Sequence, residues 1–185
     1  MKRLMIMTVG KTHSGKTTFA KALEKEMPNS VVIDQDNQAE FLHTYYRALL
    51  PKQGSNKIKF ALTKTIVDYS INETDCHLIL CNSNRNYKSR LDLLEYFHDK
   101  GFTSILVHFD VPEHVLKERV LKSRRNTSIL RTVSSFEEVL TQQQADNYKD
   151  DMIAPAQDEA DYLFVIKDVD EVESVLLKII DISQD

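Results

Sequence analysis

The sequence predicts an α/β fold, a parallel sheet covered by helices. Short apolar runs of strand length alternate with longer stretches of helical period along the whole chain. The first apolar run, "LMIMTV", leads directly into a glycine-bearing loop and then an amphipathic stretch, "TTFAKALEKEM". No tract rich in Pro or Gly separates two such patterns, so one domain over residues 1–185 is expected, and 42% hydrophobic residues can furnish its core.

Strands are expected near Leu4–Val9, Val31–Ile33, His77–Cys81, Ser104–Phe109 and Tyr162–Ile166. Between the first two, Phe19, Leu23 and Met27 share one helical face. After the second, Phe41, Leu42 and Tyr45 recur at helical spacing, a pattern of core more often than of pocket, and Asp36 stands where a helix beginning "NQAEFL" would take its N-cap. In "YKSRLDLLEYFHDKG", Leu91, Leu94 and Phe97 point inward and Gly101 supplies the left-handed residue that a helix C-terminus favours. Pro112 opens "VPEHVLKERVL", Ser135 caps "SSFEEVL" with Glu138 three residues on, and "VDEVESVLLKII" closes the chain as an amphipathic helix.

The formal charge of −4 argues against a nucleic-acid binder that works by overall positive charge. Cys76 and Cys81 form neither a disulfide framework nor a metal-ligand pattern, which suits reduced residues in a cytoplasmic protein. The apolar run at the start ends after about six residues, short of a signal core or a membrane span.

Gly10, Gly15, Lys16 and Thr17 satisfy G-x-x-x-x-G-K-[ST] between a buried strand and a helix, the place where the motif has a mechanism. Glycines let backbone N–H groups turn around an anion, the helix start adds partial positive charge, and Lys16 reaches the outer phosphates. Thr17 would hold Mg²⁺ through its hydroxyl, while Lys11, Thr12, His13, Ser14 and Thr18 complete the nucleotide loop. His13 reads as loop lining rather than as a catalyst.

A nucleotide-hydrolysing motor usually carries an acidic pair after a buried strand, and none follows "HLILCNSN". The guanine-reading Asn-Lys-x-Asp pattern is absent too. Instead Asp34 and Asp36 leave the second strand, where a doubly wound sheet opens its ligand crevice. Asp36 is the candidate base for an acceptor hydroxyl and Asp34 the candidate magnesium-side partner, with N-capping the competing role for Asp36. "LKERVLKSRRNTSILR" breaks helical period and reads as a lid over residues 119–134, with Arg119, Arg124 and Arg125 facing the transferring phosphoryl group; a solvated charged face is the alternative.

These motifs together resemble the small P-loop kinases, the group that includes polynucleotide 5′-hydroxyl kinases, zeta-toxin-like kinases, shikimate kinase and gluconate kinase. "GKTHSGKT" resembles their Walker A, "IDQDNQAE" their aspartate-bearing turn, and "FDVPEHVLKERVLKSRRN" their strand, helix and arginine lid. "LILCNSNRNYKSR" is similar to the polynucleotide-kinase strand with its downstream Asn and Arg, which puts Asn84 and Arg90 at substrate positions; the alternative for Arg90 is a surface residue of the next helix. The resemblance implies a five-stranded sheet in order 2-3-1-4-5 and transfer of the γ-phosphate of ATP to a hydroxyl. In the kinases that these motifs resemble, the segment corresponding to residues 37–72 builds the acceptor pocket, which implies acceptor helices there. Ala39 stands where polynucleotide kinases carry an arginine, so a small-molecule acceptor is expected rather than a nucleic acid. A polynucleotide 5′-hydroxyl kinase and a non-catalytic ATP-binding regulator are the two rival readings. The expected assembly is a monomer or a homodimer without a membrane partner.

Overall fold

The computed structural model describes residues 2–184. Five strands, β1 (Arg3–Gly10), β2 (Ser30–Ile33), β3 (His77–Cys81), β4 (Phe102–Phe109) and β5 (Tyr162–Ile166), form one parallel sheet in order β2-β3-β1-β4-β5. Among the described residues, seven α-helices accompany them: α1 (Lys16–Glu26), α2 (Gln35–Tyr45), α3 (Lys57–Glu73), α4 (Tyr87–His98), α5 (Glu113–Leu121), α6 (Phe136–Ala145) and α7 (Val172–Gln184).

Alternation along β1 divides the core. Leu4 and Ile6 pack with Phe19, Leu23 and Met27 of the α1 region and Val175 and Ile179 of α7. Met5, Met7 and Val9 face the other way, against Ile71 of α3 and Leu94 and Phe97 of α4. A sheet buried on both faces needs apolar residues at successive positions, which is why the central strands read as unbroken hydrophobic runs.

β3 and β5 have the expected bounds, and β1, β2 and β4 extend one or two residues further. β4 begins at Phe102 because Arg3 pairs with it in register, while buried Ser104 is satisfied by Asp161, whose carboxylate accepts from the Ser104 N–H at 2.7 Å. Gly101 has φ +77 after α4, Pro112 directly precedes α5, and Ser135 caps α6 by accepting from the Glu138 N–H at 3.2 Å.

Two local expectations are corrected. Asp34, not Asp36, caps α2: its Oδ1 accepts from the Asp36 N–H at 2.9 Å, and Asp36 sits within the first turn. Of the expected core triad in α2, only Leu42 is buried; Phe41 and Tyr45 are 43% and 71% exposed, because the face they share carries no covering layer. Among the described residues, no helix is long and apolar enough to cross a membrane.

Candidate active site

The loop between β1 and α1 is closed by backbone geometry that depends on glycine. Gly15 has φ +106, and a Cβ on Gly10 would lie 3.0 Å from both the Cβ and the carbonyl oxygen of Phe109. The Gly10 N–H donates to the Ser83 carbonyl at 2.9 Å, tying the loop to the end of β3. α1 starts without a side-chain cap and with no acidic residue in its first turn, leaving its partial positive charge uncompensated by the helix itself. Lys16 turns its ammonium back to the Lys11 carbonyl and to the Ser14 hydroxyl at 3.2 Å. Burial pushes its pKa down to about 8.

The aspartate turn lies beside this loop. Thr17 donates its hydroxyl to Asp34 Oδ2 at 3.3 Å, across the gap between the start of α1 and the end of β2. Asp34 is 2% exposed, and burial raises its pKa. Cys81 lies beneath, with Sγ 3.6 Å from Thr17 Oγ1; burial pushes its thiol up to about 11, so it stays protonated.

The last turn of α5 and the segment that follows it cross over both. Arg119 donates to the carbonyls of His13 at 3.3 Å and Ser14 at 3.2 Å. Arg125 pairs with Asp36, and its guanidinium lies 5.0 Å from the centre of the Phe136 ring. Farther along, Arg131 donates to the carbonyls of Gly54 at 3.1 Å and Pro51 at 2.7 Å. Arg124 is exposed and lies outside the cleft lining, which corrects its expected place beside Arg119 and Arg125. Its neighbour Arg125 takes the inward position through the Asp36 pair.

His13 does more than line the loop. It has φ +59, its Nε2 hydrogen-bonds Ser123 Oγ at 2.8 Å, and its ring meets Phe136 edge-on at 5.0 Å, so the loop and the crossing segment are joined through it. Gln143 adds a second link by accepting from the Thr12 N–H at 2.7 Å.

Two residues at the expected substrate positions are committed to structure. Asn84, at φ +47, donates its amide to the Thr8 carbonyl at 2.9 Å. Arg90 is 1% exposed; its Nε donates to Glu159 at 2.6 Å, and other guanidinium N–H groups reach the carbonyls of Asn84, Arg85 and Ile153. It is therefore not a surface residue, and its charge is already neutralised. Its spacing in α4 gave no sign of this, because Glu159 lies 69 residues away.

The result is one cleft of about 1240 Å³ that runs from the loop and Asp34 to Asp36, Asn82 and Ile129. Lys59 also lines it, as does Gln143, and neither was singled out as a site residue. The signal for Lys59 was available in "NKIK": buried Asn56 caps α3 by accepting from the Lys59 N–H at 3.3 Å, which fixes Lys59 in the first turn.

Comparison with known proteins agrees with this fold. A family model described as an AAA domain matches residues 5–149. Mouse nicotinamide riboside kinase 1 is 54% identical over 37 residues, which is 20% of this chain and 19% of that protein. The chain thus matches only a small part of that curated relative. A putative kinase from Chloroflexus aurantiacus superposes with a TM-score of 0.65 at 16% identity, covering 99% of this chain and 97% of the other. Chaetomium thermophilum Kti12 in complex with ADP-AlF3 superposes with a TM-score of 0.63 at 17% identity, covering 96% and 97%.

Proposed function

Because the chain belongs to the AAA-domain family and has the P-loop kinase fold, we propose that it transfers the γ-phosphate of ATP to a hydroxyl of a small molecule. The observation that carries this reading is the 3.3 Å contact between Thr17 and Asp34, which joins the phosphate loop to the turn bearing Asp36. The ADP-AlF3 bound by the Kti12 relative supports ATP as the donor. The domain is taken as residues 1–185, with acceptor helices over 37–72 and a lid over 119–134.

In this mechanism Lys16 and the N–H groups of the loop hold the β- and γ-phosphates. The Thr17 hydroxyl and the Asp34 carboxylate are hard oxygen donors of the type Mg²⁺ takes while keeping several waters, and they fit that ion; bound there, it would neutralise phosphate charge. Asp36 accepts the proton of the acceptor hydroxyl as its oxygen bonds to the γ-phosphorus and the bond to the β–γ bridging oxygen breaks, releasing ADP. Arg119 and Arg125 stabilise the charge on the transferring group, and the lid keeps out water that would compete as acceptor. The two free cysteines support a reducing, cytoplasmic setting.

A nucleic-acid acceptor loses support from the commitment of Arg90 to Glu159. The test is ADP formation across a panel of small hydroxyl compounds and 5′-hydroxyl oligonucleotides. Acceptor-stimulated ADP release with a small compound, lost in Asp36→Asn while nucleotide binding is kept, is the expected result. Loss of nucleotide binding in Asp36→Asn, or turnover with oligonucleotides alone and steep salt dependence, would overturn it.

A further inference from the structure

We propose that the acceptor is an anionic hydroxyl compound, carrying a carboxylate, phosphate or sulfate group, and that Lys59 is the side chain that selects it. This rests on the kinase reading above and names the class of its substrate.

Apart from Lys21, which is exposed to solvent, the other cations of the cleft already have partners. Lys16 reaches the Lys11 carbonyl, Arg119 the loop carbonyls, Arg125 Asp36, Arg85 the Gln143 carbonyl, and Arg90 Glu159. Lys59 differs. Among the described residues its ammonium forms no ion pair and no hydrogen bond, although it is half-buried and lines the cleft together with Asp34 and Asp36. Its Nζ lies 5.1 Å from the centre of the neighbouring Phe60 ring.

An ammonium withdrawn from water with its donors unused costs free energy, and the folded protein keeps it there only against that cost. Burial and the Arg131 charge push its pKa down, and Asp36 and Asp34 only partly oppose them. Neither aspartate answers the charge by contact: Asp34 is held by Thr17 and the Asp36 N–H, and Asp36 by Arg125. Glu40, also on this wall, is exposed.

The position of Lys59 is also fixed. Asn56 caps its helix from a buried site, and Arg131 of the lid clamps the preceding loop at Pro51 and Gly54. A hydroxyl compound seated at Asp36 with an anionic group toward Lys59 would complete the ammonium's hydrogen bonds. A neutral analogue would leave them unmade, which is a strong basis for rejection.

The test uses the full chain with Mg·AMPPNP at saturation, so that the phosphate loop is filled, and titrates sodium sulfate against chloride at constant ionic strength. Backbone amide shifts of residues 56–60 are read by NMR, with acetate and inorganic phosphate in parallel to separate carboxylate from phosphoryl preference. A saturable response is expected, weakened about 10- to 100-fold in Lys59→Met. Lys59→Arg should retain most of it, and Lys57→Met, on the exposed side of the same turn, should leave it unchanged. Absence of a saturable response to all three anions, or an equal response in Lys59→Met, overturns the inference while leaving the kinase reading intact. Failure of AMPPNP itself to bind, measured first in the same samples, removes the kinase reading and this inference with it.

Discussion

Arg125 and Asp36 form an ion pair that joins two segments 89 residues apart, the crossing lid and the turn after β2. The same guanidinium lies over Phe136, so one side chain connects the lid, α6 and the candidate base. A cation held at this junction stands beside both the acceptor oxygen and the phosphoryl group in the proposed transfer.

Replacing Arg125 by Gln should therefore slow acceptor-stimulated ADP release by about 10²- to 10³-fold, the usual effect of removing one fixed stabiliser of transition-state charge. Nucleotide affinity should change less than about tenfold, since Lys16 and the loop carry that binding. Steady-state kinetics beside calorimetric binding of AMPPNP separates the two effects.

The depressed pKa of Lys16, about 8, makes nucleotide binding depend on pH in a defined direction. Below that value the ammonium is charged before binding, and affinity should be flat. Above it the free protein has lost a proton that the phosphates favour, so binding must take one up. Affinity should then fall by up to about tenfold per pH unit, with proton uptake visible as a dependence of binding heat on buffer ionisation. Lys16→Ala should weaken binding about 10- to 100-fold and abolish this dependence.

The Arg90–Glu159 pair, with side chains 0% and 4% exposed, ties α4 to the chain ahead of β5. Arg90→Ala or Glu159→Ala leaves a buried charge unpaired and should destabilise the fold by about 3–5 kcal/mol, measured by urea unfolding. The double variant Arg90→Met, Glu159→Leu should lose clearly less than the sum, because it removes both charges together.

Gly10→Ala should destabilise the protein by about 1–3 kcal/mol and weaken AMPPNP binding, since the new methyl meets the Phe109 backbone and displaces the loop. Gly101→Ala provides the contrast. With φ +77 and no atom within 4 Å of the added carbon, it should cost about 1–2 kcal/mol of stability and leave nucleotide binding unchanged.

The fold class, the phosphate loop and the aspartate turn are legible in the order of residues, because each rests on contacts or geometry close along the chain. Period-two and helical spacing record which faces are buried, and Gly10, Gly15, Lys16 and Thr17 carry their loop within one short stretch. The cap at Asp34 was missed by two residues, for Asp34 and Asp36 are the same residue type on one turn and only backbone direction tells them apart. Tertiary structure alone decided what the long side chains do. Arg90 faces Glu159, Arg125 faces Asp36 while Arg124 faces outward, His13 reaches Ser123 across 110 residues, and Lys59 is left with its charge uncommitted in the cleft. A charge in a sequence has no partner until the chain is folded, and pairing between distant segments is set by where the sheet brings their ends, which local spacing does not encode.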